Sequence, residues 1–212
     1  SSSSLMIGIL KAFNQLLFKG NVSLFFILLL GFNLNVLALI FIKNIIAVGR
    51  CRFFLESTKY RKVRLDKVLF IYRVKKTLTT AKSMLLTSIY QFLWNLTVIG
   101  GIIKHYSYLL VPYIIAENPT ISGKEAIDLS RKMMNGRKLE AFKLELSLFP
   151  WYLLGVATFQ FSDLLFLNPY HQAILAEFYM NVRSECLEED SSLAIYLNDR
   201  YLDGNINNSY YP

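Results

Sequence analysis

Residues 22–42 read VSLFFILLLGFNLNVLALIFI and contain no charged side chain, with Lys19 before them and Lys43 after them. A helix rises about 1.5 Å per residue, so one of this length reaches across a hydrocarbon layer of roughly 30 Å. Sixteen positions are Leu, Ile, Val or Phe, and each favours insertion by roughly 0.3–0.6 kcal/mol. That sum exceeds the cost of placing Asn33 and Asn35 in lipid. The stretch predicts a membrane-spanning helix in an all-α, polytopic helical membrane protein.

The composition agrees with a membrane protein and offers little catalytic chemistry. Hydrophobic residues make up 54% of the chain and charged residues 18%, against roughly 45–50% and 25% in soluble domains. Cys51 and Cys186 stand in unrelated contexts, which indicates neither a disulfide framework nor a cysteine-based metal site. His105 and His171 are far apart in sequence and, with Asp163, form only a weak pattern for a metal. We expect no catalytic residue, no cofactor and no metal.

The uneven charge predicts the orientation of the chain. Residues 43–82 carry twelve basic and two acidic residues, and residues 104–143 carry a net charge of +3. Short basic loops stay on the cytoplasmic side of a membrane, so both segments are expected there. The segment after residue 183 has a net charge of −5. We therefore predict one helical membrane domain over residues 1–183 and an acidic cytoplasmic tail over 184–212.

Two basic segments on the same side require that the chain between them crosses the membrane and returns. Gly100-Gly101 is the predicted break, since glycine accepts backbone angles that other residues resist. The two legs would cover residues 83–100 and 102–116. They are short enough for a re-entrant hairpin as well as for two complete spans.

A second outgoing and returning pair is predicted downstream. The outgoing helix would cover residues 144–162 and the returning helix 169–183. Asn168-Pro169 separates them, because proline disfavours helix in the residue before it. Asp163 would then lie at the outer turn.

A cytoplasmic amphipathic helix is predicted over residues 122–136. Ser122 and Glu125 have the spacing of a capping box, in which each side chain accepts a hydrogen bond from the other residue's amide, and Gly136 is a suitable C-cap. Apolar side chains lie on one face and basic side chains on the other, as in helices that lie on anionic lipid. A docking surface for a partner protein is the alternative. The predicted headgroup contacts are Lys124, Arg131, Lys132, Arg137 and Lys138.

Five polar residues near the predicted membrane boundaries are candidates for a functional site. Glu145 and Ser147 begin a membrane helix, where an acid is a functional candidate, although an ion pair with Lys143 is the alternative. Glu117 and Asn118 could bind a ligand or ion at the inner interface, or could stop a helix before Pro119. The fifth candidate is Asn168.

Several motifs resemble one known family. They are VGRCRFFLE (48–56), KVLFIYRVKK, the run from Ile99 to Gly155 that begins IGGIIKHYSYLLVPYIIAENPTISGKEA, and NPYHQAILAEFYMNVR (168–183). Over roughly residues 48–183 the chain resembles a large, mainly Gram-positive bacterial family of polytopic membrane proteins known as the domain of unknown function 975. That family usually has Ile-Pro-Gly at residues 99–101 and Asp at residue 145. The resemblance implies an all-helical membrane domain with a cytoplasmic amphipathic helix and no established activity.

These observations predict a multi-pass protein of the bacterial plasma membrane with cytoplasmic basic loops. We expect a non-catalytic accessory or scaffold subunit of a membrane complex, whose partners are anionic lipids and either a membrane protein or a second copy, with no nucleic acid. The alternative is a transporter or channel component that moves a small solute, lipid or peptide along a path near Glu145.

Overall fold

The computed structural model describes residues 22–157 and 167–199, together with residues 7, 8, 11, 12 and 15. These residues lie in helices, turns and short connections, and none of them is in a β-strand. The predicted all-α class is confirmed for this part of the chain. Contacts divide the chain into two compact units, residues 1–43 and residues 44–212.

Nine α-helices are described. They are α1 Val22–Lys59, α2 Phe70–Arg73, α3 Thr77–Asn95, α4 Val98–Tyr108, α5 Val111–Glu117, α6 Gly123–Met133, α7 Lys138–Ser147, α8 Phe149–Ala157 and α9 Asn168–Glu189. Short 3-10 helices cover Leu65–Leu69 and Ser191–Ile195. Helix α9 continues past the domain boundary predicted at residue 183, so the first acidic residues of the predicted tail are helical.

The first unit contains the beginning of α1, over most of the charge-free run. Large apolar side chains between Phe26 and Leu34 are exposed along it. The Asn33 amide donates to the carbonyl oxygen of Leu29 at 2.8 Å. This polar side chain is therefore satisfied within its own helix, which lowers its cost in an apolar surrounding.

Helices α3 and α4 form a helical hairpin whose turn lies at Leu96 and Thr97. The break predicted at Gly100-Gly101 is wrong, because both glycines lie within α4. Their small size serves close packing: a Cβ atom at Gly101 would lie 2.7 Å from Oδ1 of Asn95 and 3.0 Å from its Cα. The glycine pair lets the start of α4 approach the end of α3, and the neighbouring residues make the turn.

Helices α4 and α5 follow each other in one helical stretch, Val98–Glu117, interrupted near Leu109. Within the described part of the chain, this stretch is the one candidate that is long and apolar enough to cross a membrane. Its 20 residues correspond to about 30 Å of helix rise. Half of its most apolar window is buried inside the protein.

Helix α6 has the predicted N-terminus. The Ser122 side chain accepts from the amide of Glu125, and the Glu125 carboxylate accepts from the amide of Ser122. Its apolar face, however, packs on α3, α4 and α5. Gly123 lies so close to Ser83 that a Cβ atom would be 2.8 Å from its Cα. Because helices cover this face, the interpretation that it lies against lipid is wrong.

The core of the second unit lies around α5 and the second half of α9. Side chains of α5 are almost completely buried, and Tyr113 of α5 stacks on Tyr179 of α9 with ring centroids 5.5 Å apart. We call this end of the unit the base and define it as residues 44–76, 106–134 and 175–199. Its buried apolar members include Ile45, Val48, Leu55, Ile71, Leu110, Ile114, Ala126, Met133, Val182 and Leu197.

The opposite end of the second unit exposes large apolar side chains. We call it the hairpin end and define it as Ile89–Ile103 of the α3–α4 hairpin and Phe142–Leu153 of α7 and α8. The predicted outgoing helix 144–162 is divided at Leu148 between α7 and α8. Its last residues and Asp163 lie outside the described residues.

Candidate functional site around Glu145

Glu145 is the predicted candidate on which both histidines of the chain converge. It lies on α7, where it is partly exposed, and α4 packs beside it. The Tyr106 hydroxyl of α4 donates to Glu145 Oε2 at 2.7 Å. The Tyr106 ring is itself held edge-on against Phe142 of α7, with centroids 6.1 Å apart. These contacts fix the carboxylate against α4.

Both histidines of the chain face the other oxygen of the same carboxylate. Nε2 of His105 on α4 lies 3.9 Å from Glu145 Oε1, and Nε2 of His171 on α9 lies 4.0 Å from it. The Tyr152 hydroxyl of α8 is 3.4 Å from Nδ1 of His171. Four helices therefore contribute to one cluster. Each imidazole forms an ion pair with the carboxylate when it is protonated.

The sequence analysis placed these groups apart. It described the histidines as far apart in sequence and assigned Glu145 to the start of a membrane helix, whereas the structure brings all three together. Asp163, the proposed companion of the histidines in a metal site, is outside the described residues. Among the residues that are described, no group of three or more His, Cys, Asp or Glu side chains is arranged to hold a metal ion.

An open cleft of about 430 Å³ lies between α3 and α4 beside this cluster. His105 and Tyr106 line its wall together with Gln91 and Asn95. The Gln91 amide donates to Asn95 Oδ1 at 2.7 Å and to the Gly101 carbonyl oxygen at 3.1 Å. A row of polar groups thus lies along a hairpin whose other side chains are mainly apolar.

Glu117 and Asn118, the candidates at the inner interface, serve the fold. The Glu117 carboxylate accepts from the Tyr179 hydroxyl at 2.6 Å and lies 2.8 Å from a guanidinium nitrogen of Arg183. Asn118 donates to the Tyr196 carbonyl oxygen at 3.2 Å and accepts from the Thr120 amide at 3.1 Å. The buried carboxylate and the turn amide are both occupied by protein groups.

Ser147 and Asn168 are both exposed. The Ser147 hydroxyl donates to the Leu144 carbonyl oxygen at 2.7 Å in its own helix, and Asn168 is the first residue of α9. Their predicted functional roles stay predictions.

A second charged cluster, which the sequence analysis did not identify, lies buried in the base. Arg52 of α1 contacts the carboxylates of Glu56 and Asp199 and donates to the Ala116 carbonyl oxygen at 3.2 Å. Lys67 lies 2.9 Å from the second oxygen of Glu56. Burial opposes the charge on Arg52, but the two carboxylates outweigh it and raise its pKa. The spacing Arg52-x-x-x-Glu56 is the one local signal that predicts part of this cluster.

The cations predicted to bind lipid are largely paired with acids of the protein. Arg131 lies 3.3 Å from Asp128. Arg137 lies 2.8 Å from Glu185 and 3.7 Å from Glu189 of α9. The remaining pair joins Lys132 and Asp190 at 2.7 Å.

Lys124 and Lys138 form no ion pair within the described part of the chain. A lipid contact of any of the five predicted cations stays a prediction. The acids that follow residue 183 pair with Lys132 and Arg137, and these ion pairs join α9 to the end of α6 and to the start of α7.

Residues 96–186 match the family model described as "Protein of unknown function (DUF975)". The family resemblance inferred from the sequence motifs is therefore confirmed over these residues. Searches of the curated proteins and of the solved structures return no match.

Proposed function

We propose that this DUF975 chain is a multi-pass protein of the bacterial plasma membrane and acts as a non-catalytic accessory or scaffold subunit of a membrane complex. The observation that carries the membrane assignment is the apolar surface of the hairpin end. Its exposed large side chains are Ile89, Phe92, Leu93, Trp94, Leu96, Val98, Ile99, Ile102, Ile103, Phe142, Leu146, Phe149, Trp151 and Leu153.

An apolar surface of this kind is unfavourable in water and favourable in lipid. Soluble monomers rarely expose contiguous apolar patches beyond a few hundred Å². Here consecutive turns of two packed helices, α3 and α4, contribute to the surface. Lys104 reaches back over the Trp94 ring at 4.7 Å, which suits a cation near an interface.

The non-catalytic role rests on how the charged groups of the base are used. Two buried ion pairs lie in the base: Arg52 with Glu56, and Arg183 with Glu117. Each arginine also donates to a backbone carbonyl oxygen. Buried ion pairs of this kind fix a structure and leave few groups to react with a substrate. A rigid base joined to an apolar hairpin suits a subunit that presents a folded surface beside the membrane.

Isolation from the native membrane tests this function. The tagged full chain would be extracted in mild detergent, and the proteins that remain bound would be measured by quantitative mass spectrometry. An accessory subunit is expected to retain a membrane protein in a fixed stoichiometry. Recovery of the chain alone, or as a homo-oligomer, would contradict this role.

The orientation has a separate test. Single cysteines would replace Lys62 and Asp128, which are exposed, in a chain with Cys51→Ala and Cys186→Ala. A membrane-impermeant maleimide should label both positions only after the cytoplasmic side is opened. Labelling of Asp128→Cys from outside would contradict the proposed hairpin.

A transporter or channel component is the second candidate, favoured by the convergence of His105 and His171 on Glu145 beside an open cleft. A carboxylate between two imidazoles can exchange protons during transport of a small solute. Glu145→Gln would then abolish flux in reconstituted vesicles, whereas Glu140→Gln, at an exposed position of the same helix, would not. Unchanged flux in Glu145→Gln would eliminate this path.

A further inference from the structure

The segment from Arg61 to Leu78 connects α1 to α3 and is strongly basic. It contains seven basic residues and one acidic residue, Asp66. The sequence analysis treated it as part of a cytoplasmic loop. We call it the basic segment.

The inner face of the basic segment is fixed to the base. Ile71 is completely buried, and Lys67 contacts buried Glu56. The backbone of Val68 lies directly on α1: a Cβ atom at Gly49 would be 1.8 Å from the Val68 carbonyl oxygen. The segment is therefore a packed element with a defined outer face.

That outer face is apolar. Leu65, Leu69 and Tyr72 are 78%, 51% and 45% exposed. Leu69 and Tyr72 are three residues apart and so lie on neighbouring turns of one side of the chain, and Leu65 opens the 3-10 helix that precedes them. Leu78, in the first turn of α3, is also exposed. Side chains of this size on an outer face indicate contact with something apolar.

The charges around this apolar stripe are mostly unneutralised. Arg64 and Arg73 share Asp66, at 3.1 and 2.7 Å. Within the described residues, Arg61, Lys62, Lys75 and Lys76 form no ion pair. This differs from the C-terminal half of α6, where Asp128 pairs with Arg131 and the α9 C-cap Asp190 pairs with Lys132. The basic segment therefore presents the excess positive charge of the base.

Its position along the chain suits a membrane interface. Lys82 is the last charged residue before the apolar part of α3, and Lys76 precedes it by six residues. Six residues of helix rise about 9 Å. The headgroup layer on each side of a bilayer is roughly 5–8 Å thick. The cations thus lie near the level of the headgroups when the hairpin end is in lipid.

We infer that the basic segment is a membrane-surface element, which inserts Leu65, Leu69 and Tyr72 among the headgroups of anionic lipid. Arg61, Lys62, Lys75 and Lys76 bind the lipid phosphates beside them. The inference rests on the proposed membrane insertion of the hairpin end.

Site-directed spin labelling of the full chain tests the inference. In the background Cys51→Ala, Cys186→Ala, one label would be placed by Leu65→Cys, Leu69→Cys, Lys62→Cys or Phe92→Cys. Each protein would be reconstituted in nanodiscs of phosphatidylcholine alone or with phosphatidylglycerol added. Collisions with oxygen report immersion in lipid, and collisions with a water-soluble nickel complex report exposure to water.

Labels at residues 65 and 69 should collide mainly with oxygen in the anionic nanodiscs and should collide more with nickel in the neutral ones. The label at residue 62 should collide mainly with nickel in both kinds of nanodisc. The label at residue 92 should collide with oxygen in both. If residue 92 is in lipid while 65 and 69 stay in water in the anionic nanodiscs, the inference is wrong and the membrane proposal stands. If all four are in water, both are wrong.

A pair of charge variants tests the role of the cations. Lys75→Gln with Lys76→Gln should shift the Leu69→Cys label toward water, since each cation near an anionic surface changes the insertion equilibrium about fivefold. Arg50→Gln with Lys59→Gln removes the same charge from exposed positions of α1 and should leave the label unchanged. Equal effects of the two pairs would overturn the assignment of phosphate binding to the basic segment, and would indicate a general response to net charge.

Discussion

The base and the hairpin end of the second unit place their side chains in opposite ways. In the base, charged groups such as Arg52 and Glu117 are buried and apolar residues cover them. At the hairpin end, apolar residues such as Leu96 and Ile99 are exposed, and the polar groups of Gln91 and Asn95 bond within the hairpin. The contrast is the one expected if the hairpin end lies in lipid, as proposed, and the base lies in water.

The buried ions of the base explain how the described residues after α9, up to Asp199, are held in place. Arg183 donates to the carbonyl oxygen of Leu197 at 3.1 Å and contacts Glu117 at 2.8 Å. Asp199 contacts Arg52 and donates its amide to Glu117 at 3.4 Å. Three helices, α1, α5 and α9, are thereby joined to the segment after α9. Removing one member leaves the others buried with less compensation.

The largest effect is therefore expected from Glu117→Ala. The change removes the carboxylate beside Arg183, and breaking a buried pair in this way costs roughly 3–5 kcal/mol. Denaturant unfolding in detergent micelles would measure the loss in free energy of unfolding. The control Glu188→Ala removes an exposed carboxylate of α9 and should change stability by less than about 0.5 kcal/mol. Equal stabilities of the two variants would contradict a buried network.

A matched pair of isoleucines compares the two ends directly. Ile99 at the hairpin end is 76% exposed and Ile195 in the base is 74% exposed. If the hairpin end is in lipid, Ile99→Arg should cost roughly 2.5–3.5 kcal/mol and reduce the amount of protein in the membrane fraction. Ile195→Arg should leave that amount unchanged. Similar behaviour of the two variants would remove the distinction between the ends.

The tight contact between α1 and the basic segment gives a smaller effect. Gly49→Ala would place a methyl group against the Val68 carbonyl oxygen, and overpacking of this kind costs roughly 1–3 kcal/mol. Gly31→Ala, with nothing within 4 Å of its Cβ position, is the control on the same helix and should not lower stability. Unfolding midpoints in detergent would compare them. A neutral Gly49→Ala would show that the basic segment is not packed on α1.

The smallest effect concerns pH. Hydrogen bonds from Lys132 and Ser192 lower the pKa of Asp190 from 3.8 to about 2. A carboxyl group whose pKa is lower in the folded protein stabilises the fold above its unfolded pKa. The contribution should therefore be present above about pH 4 and disappear as the pH falls from about 3.8 to about 2. Asp190→Asn should reduce the slope of stability against pH in this interval, and an unchanged slope would show that Asp190 does not contribute.

Local signals predicted much of the helical structure. Ser122 and Glu125 form the expected capping box, because both partners lie within one turn of the same helix. The motifs between Ile99 and Arg183 led to a family resemblance, which the match to the family model confirms over residues 96–186. The hairpin was expected from charge, but its turn was misplaced. Glycine is equally suited to a turn and to close helix contact, and only the packing of Gly101 on Asn95 distinguishes the two.

The sequence by itself determined the helical class, the start of α6 and the distribution of charge, because these depend on residues a few positions apart. Only the tertiary structure decided that His105 and His171 meet at Glu145, that Arg52 is buried, and that α6 packs on protein. Those contacts join residues far apart in the chain, and no local backbone preference encodes them. They depend on which faces of the helices pack against one another after each helix has formed.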